Sequence, residues 1–482
     1  MPDPIRRHAQ ARPEALALRT SQRAWTYAEI DAAVTATGAQ LRETGVDQGT
    51  RVALHLERSP TMIALLWALW RVGAVAVPLS TRLPAAEVGR YARQVGCEVL
   101  IASAEEVLEK TPDALTPRSA DGLLGERGDR AAPVPLEEQA DDRPATIVFT
   151  SGSTGTPKAA LHTWRNHLYS AKGSNANLPL HPGDRWGLSL PLYHVGGLAI
   201  LVRCALAGAA VVLPESGATL ADGGVGSGVT HLSLVATQLR RLLYATEGAP
   251  PSRLRAVLLG GGPIPDTLLR RGYERDWPLL TSYGCTEMAS QVTTTAPGAP
   301  LDDLRTAGRR LPHRRVRIDE GQIMVAGAPL FQGYVTPDGL DDPQTDDGWY
   351  PTGDRGEIDA SGRLRVLGRV DRMFVSGGEN VQPEEIESVL ERIDGVERAV
   401  VVPVPSAEYG QRPVAFLHTT TPLTAAHLRS VLESTLPGFK IPDAFHSLPD
   451  EATRGGLKID REQLCGRARM LHGYEGLEDE RS

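Results

Sequence analysis

Ala145-Thr146-Ile147-Val148-Phe149 runs directly into Thr150-Ser151-Gly152-Ser153-Thr154-Gly155-Thr156-Pro157-Lys158. The first five residues are apolar and β-branched, the profile of a buried strand. The next nine combine two glycines, a run of hydroxyls and one lysine. Glycines let backbone N–H groups approach phosphate oxygens, hydroxyls donate to them, and a lysine offsets their charge. A plain surface turn is the alternative. Against it stands the scarcity of lysine, for Lys110, Lys158, Lys172, Lys440 and Lys458 are all the chain has. The loop is not of the G-x-x-x-x-G-K-[ST] kind. Only two residues separate Gly152 from Gly155, and Ala159 follows the lysine, which disfavours a P-loop phosphotransferase.

Outward from this loop, strand and helix patterns alternate. Ala209–Leu213, Arg255–Leu259 and Arg398–Val404 read as strands, and His231–Tyr244 and Pro383–Ile393 as amphipathic helices. The alternation predicts an α/β fold. Gly353–Val366 reads as a β-meander with its turn at Asp359–Gly362, and a domain boundary is expected near Gly368–Asp371. That gives a large domain over 1–370 and a small one over 371–482. Asp113–Asp142, rich in Pro, Gly and charge, reads as a surface loop. No repeat of solenoid period is visible.

With 482 residues, 41% of them hydrophobic, the chain can build more than one core. The net charge of -8 and the lack of a basic block argue against a nucleic-acid partner. Cys97, Cys204, Cys285 and Cys465 are widely spaced, which suits a reduced cytoplasmic setting, and Met1–Arg19 has no signal-peptide core. Met62–Leu79 is nearly all apolar but contains Arg71, Gly73 and Pro78. It is expected to form a buried helix over Thr61–Trp70 and a strand over Ala74–Val77, with no membrane insertion.

Further motifs follow. In Tyr283-Gly284-Cys285-Thr286-Glu287 the threonine can donate to a phosphate and the glutamate can hold Mg²⁺. Taken alone, that glutamate is as readily a helix cap. In Tyr350-Pro351-Thr352-Gly353-Asp354 the aspartate can accept a ribose diol, or merely close a turn. Gly368-Arg369-Val370-Asp371, Ser376-Gly377-Gly378-Glu379-Asn380 and Gly455-Gly456-Leu457-Lys458-Ile459-Asp460-Arg461 complete the series.

Together, in this order, the motifs resemble the acyl-adenylate-forming superfamily of acyl-CoA synthetases, peptide-synthetase adenylation domains and beetle luciferases. The resemblance runs from Trp25-Thr26-Tyr27 to Arg461, nearly the whole chain. Within it, Pro191–Gly197, Thr230–Leu239 and Gly455–Lys458 resemble the subgroup that ligates o-succinylbenzoate to CoA in menaquinone biosynthesis. The resemblance implies ATP, Mg²⁺ and CoA as partners, and a small C-terminal α+β domain that moves. It implies that Thr150, Ser151, Gly152, Ser153, Thr154, Gly155 and Lys158 hold phosphates. Gly260, Gly261, Gly262 and Tyr283 would line adenine, Gly284 would belong to the same nucleotide site, Thr286 would serve phosphate, and Glu287 would hold the metal. Asp354 and Arg369 would hold ribose, and Gly377 and Gly378 would line the pantetheine tunnel. His194 would gate the acyl pocket, and Lys458 would be the catalytic lysine of adenylation. Asp371 would be the hinge. Departures from the superfamily are Ala159 for glycine, Val375 for lysine and Leu457 before Lys458. The last two match the subgroup.

An acid with a second carboxylate needs a buried donor. Arg203, interrupting the apolar run Leu198–Ala207, is the candidate, with Ser233, Thr237 and Ser290 as further donors. Arg203 could instead reach the surface or pair with an acidic side chain. A ligase for another short aliphatic or aromatic acid, an enzyme loading a carrier protein, and a homo-oligomer all stay open.

Overall fold

The computed structural model describes residues 3–112, 115–123, 142–150, 157–214, 228–246, 248–377, 379–406, 408–449 and 460–472. Helix Pro60–Val72 shows how the core begins. Ser59 caps it by accepting from the Met62 amide, proline occupies its first turn, and Gly73 ends it in the left-handed region at φ 81°. Its sides are apolar all round, so it can only be central. It shares one core with helices Tyr27–Glu43, Trp164–Asn177 and Val195–Ala207 and with one face of each of two large sheets. Arg71, its single charge, is met by Asp3 at 2.7 Å and Asp31 at 2.6 Å.

Among the described residues, one sheet has eight strands and the other nine. Strand Pro144–Thr150 lies in the eight-stranded sheet between Val75–Pro78 and Lys158–Thr163. Its outer face packs on helix Ala85–Gln94. The outer face of the nine-stranded sheet packs on helices Ala236–Ala245 and Asp266–Tyr273. The layers therefore alternate helix, sheet, helix, sheet, helix. No described helix is long and apolar enough to cross a membrane.

A four-stranded antiparallel sheet, Arg314–Asp319, Gln322–Gly327, Tyr350–Ile358 and Leu364–Arg369, follows. Its last hairpin turns where the meander was expected, with the Gly362 amide donating to the Asp359 carbonyl. The chain then passes through a 3₁₀ turn, Val370–Arg372, into a separate smaller sheet with its own cores on both faces. Strand Gly410–Thr419 lies at the centre of that sheet, paired with the long edge strand Val396–Ser406 on one side and with Phe374–Ser376 and Phe445–Ser447 on the other. The small domain touches the large one where Arg240 meets the Glu397 carboxylate at 2.6 Å.

Two expectations are corrected. His231–Leu234 is a strand, and the helix begins only at Ala236. The strand lies between parallel neighbours and is buried throughout, so it has no polar face to display a period of two. Within Asp113–Asp142, Thr116–Ser119 is an edge strand on Val99–Ala102, exposed enough to tolerate its proline and arginine. The rest of that stretch is described only at 115, 120–123 and 142.

Candidate functional site

Three sheets bring the predicted motifs together around one core. Tyr283, Met288, Ala160, Tyr334 and Tyr350 share a single apolar cluster. Strand Leu279–Cys285 delivers Tyr283 and Gly284, then turns through the 3₁₀ segment Thr286–Met288. Gly284 is required there, because a Cβ would strike the Ser290 carbonyl. The turn is fastened from two sides. His162 Nε2 lies 2.7 Å from the Thr286 carbonyl oxygen, and the Phe331 amide donates to the Glu287 carbonyl at 2.8 Å. A carbonyl only accepts, so His162 carries its proton on Nε2. Burial pushes that ring down to about 4, so it is neutral at physiological pH.

Glu287 is buried, and the Tyr334 hydroxyl donates to its Oε1 at 2.6 Å. Among the described residues it has no ion pair. A buried carboxylate with one oxygen held and no cation fits a divalent ion, which hard oxygen donors bind. Lys158 starts the strand after the predicted phosphate loop, with its ammonium 5.0 Å from the centre of the Tyr334 ring. Thr150 pairs with Lys158 across the hairpin. Ser151, Gly152, Ser153, Thr154 and Gly155 lie outside the described residues.

Asp354 sits in strand Tyr350–Ile358, and its Oδ2 accepts from the Tyr283 hydroxyl at 2.6 Å. Arg369 approaches Oδ1 at 3.4 Å, donates to the Thr352 carbonyl at 3.1 Å, and binds both oxygens of Asp371 at 3.0 and 2.9 Å. Burial pushes the Asp354 carboxyl up, and the Tyr283 hydroxyl and Arg369 oppose it. Gly260, Gly261 and Gly262 follow strand Ala256–Leu259. Gly261 has φ 81°, and a Cβ on Gly260 would press on the Ser282 hydroxyl. Gly377 opens the turn after Phe374–Ser376 at φ 61°, its amide bonded to the Tyr409 carbonyl. Gly378 and Lys458 lie outside the described residues.

A second centre lies behind helix Val195–Ala207. His194 is its exposed N-cap residue, its ring edge-on to Tyr193. Arg203, on the same helix, is 1% exposed. One guanidinium nitrogen donates to the Ser290 hydroxyl at 3.0 Å, its face lies over the Trp186 ring, and its Nε has no partner. Among the described residues it has no ion pair. Burial pushes it down to about 10, which leaves it a cation at neutral pH. Ser290 bends to it with φ 138°, a strained value for a side-chain-bearing residue. The Trp186 indole donates to the Ser233 hydroxyl at 3.2 Å. Arg203, Ser290, Trp186 and Ser233 are thus linked, whereas Thr237 is exposed on helix Ala236–Ala245.

Sequence reasoning missed Trp186, Tyr334, His162 and Arg314. Arg314 is also 1% exposed and donates to the carbonyls of Gln291, Pro312 and Ser170. Burial and then the charge of Arg203 push it down to about 9. Three arginines in Arg314-Arg315-Val316-Arg317 gave no hint which one turns inward.

The AMP-binding enzyme family matches residues 5–335, and the AMP-binding enzyme C-terminal domain matches residues 385–456. The 2-succinylbenzoate–CoA ligase of Bacillus pumilus is 34% identical over 478 residues, covering 96% of this chain and 97% of that protein. The o-succinylbenzoate CoA synthetase of Bacillus subtilis, solved with the acyl-adenylate intermediate OSB-AMP, superposes with a TM-score of 0.88 at 32% identity. That match covers 96% of this chain and 98% of the other. The same Bacillus subtilis protein with ATP and magnesium gives a TM-score of 0.84 at 32% identity, covering 93% and 96%.

Proposed function

The chain belongs to the AMP-binding enzyme family, and we propose that it is the AMP-forming ligase that joins o-succinylbenzoate to CoA in menaquinone biosynthesis. It adenylates the succinyl carboxylate, releasing pyrophosphate. The CoA thiol then displaces AMP from the acyl-adenylate. The observation that carries the substrate is Arg203, a buried cation with no carboxylate of the protein beside it among the described residues. The ring carboxylate of o-succinylbenzoate supplies the missing anion through paired hydrogen bonds.

The loop Thr150–Lys158 and Thr286 hold the triphosphate, the glycines Gly260–Gly262 with Tyr283 line adenine, Gly284 belongs to the same nucleotide site, and Asp354 with Arg369 holds the ribose. Glu287 holds Mg²⁺, which supplies charge stabilisation to the phosphates. His194 gates the acyl pocket. Lys458 places a cation between the attacking carboxylate and the α-phosphate, where two anions must meet. The small domain, 371–482, pivots at Asp371 and exchanges Lys458 for the tunnel at Gly377–Gly378 between the two steps. The enzyme works in the cytoplasm.

AMP release across a panel of acids tests the reading. It is sustained if o-succinylbenzoate gives the highest kcat/KM and fails if benzoate or a fatty acid does. Lys458→Ala is expected to slow adenylation by on the order of 10²–10³ while sparing thioester formation from pre-made acyl-adenylate. Asp371→Pro is expected to impair the second step more than the first.

A further inference from the structure

Tyr334 is the one described side chain shown touching both the lysine that ends the phosphate loop and the proposed metal carboxylate. It comes from strand Gly333–Thr336, which pairs with Lys158–Thr163, with Tyr334 opposite Ala160. That register sets its ring under the Lys158 ammonium, 5.0 Å from the ring centre. Its hydroxyl lies 2.6 Å from Glu287 Oε1 and 2.8 Å from the Tyr350 hydroxyl. The carboxylate can only accept, so Tyr334 donates to Glu287 and Tyr350 donates to Tyr334. The Phe331 ring packs edge-on against both tyrosines, at 4.9 and 5.3 Å.

We propose that Tyr334 is a positioning residue for the metal: its hydroxyl fixes the Glu287 carboxylate in one rotamer, and its ring anchors Lys158 beside it. The hydroxyl is suited to this task. It is a donor set 2.6 Å from an oxygen that can only accept. A carboxylate fixed by a partner outside the metal's own ligands loses no rotamer freedom when the ion arrives. The ring face under the Lys158 ammonium gives the phosphate-binding cation and the metal carboxylate one common support.

The inference rests on the reading of Glu287 as the metal carboxylate, and the test separates the two. Mn²⁺ serves as the probe, and its binding to the full chain in the presence of ATP is followed by the enhancement of water-proton relaxation over that of the Mn²⁺–ATP complex alone. Tyr334→Phe keeps the ring and removes the hydroxyl. It is expected to weaken Mn²⁺ binding on the order of 10-fold, with ATP affinity in the absence of metal unchanged. Tyr350→Phe leaves the Tyr334 donor in place and is expected to bind Mn²⁺ much as the wild type does. Wild-type Mn²⁺ affinity in Tyr334→Phe, with a loss in Glu287→Gln, overturns the role of Tyr334 alone. An equal loss in both tyrosine variants also overturns it, because core packing would then be the cause. Wild-type affinity in Glu287→Gln overturns the metal reading and the proposal with it.

Discussion

Helices Pro60–Val72 and Val195–Ala207 make an informative pair. Each has 13 residues, each is apolar on all sides, each shares the same core, and each contains a single arginine. Arg71 is held by two carboxylates, Asp3 and Asp31, and by the Thr35 hydroxyl at 2.8 Å. Arg203 is held by one serine hydroxyl and the face of an indole. Desolvating a guanidinium costs several kcal/mol unless an anion returns it. At Arg71 the protein supplies the anion, and the residue serves the fold. At Arg203 the account gives that part to the substrate, so the same chemistry in the same layer serves recognition.

The largest effect expected from breaking this comparison is on stability. Arg71→Leu strands Asp3, itself only 5% exposed, and is expected to cost about 3–5 kcal/mol in urea unfolding. Arg203→Leu strands no carboxylate among the described residues and is expected to leave unfolding unchanged or raise its midpoint. A similar loss in both variants would show that the two arginines do one job.

Arg369 sharpens the contrast, since it is paired and still assigned to ligand binding. Asp354→Asn weakens its hold and removes an acceptor. The expected outcome is a KM for ATP raised about 10-fold, with the KM for the acid unchanged in steady-state kinetics.

The smallest expected effect concerns the mirror case, a half-buried carboxylate, Glu391, with no ion pair among the described residues. Burial pushes Glu391 from 4.5 up to about 7, although it accepts from the Ala399 amide at 3.1 Å. A raised carboxyl binds its proton more tightly when folded, so stability falls as pH rises from about 4.5 through about 7. Glu391→Gln is expected to gain on the order of 1 kcal/mol at pH 8 and nothing at pH 4.5, read from urea midpoints.

The sequence made Arg203 visible because charge interrupts an apolar run, and that signal is one-dimensional. It made the nucleotide motifs visible because hydroxyls, glycines and acids cluster within five to nine residues. Contacts across sheets left no such trace. Tyr334 reaches Glu287 over 47 positions and Tyr283 reaches Asp354 over 71. Trp186 reads as an ordinary core aromatic until Arg203 is seen above it. The strand His231–Leu234 was misread as helix because burial on both faces erases alternation. Thr237 shows the converse error, a polar residue placed by proximity in sequence that the helix turns outward.

The central claim is that the anion missing from Arg203 belongs to the substrate. It is tested by comparing kcat/KM for o-succinylbenzoate and for 3-benzoylpropanoate, which lacks only the ring carboxylate, in wild type and in Arg203→Leu. The account predicts that wild type favours o-succinylbenzoate by about 10² or more, and that the preference disappears in the variant because only o-succinylbenzoate loses rate. An equal fall for both acids, with the preference intact, would contradict it.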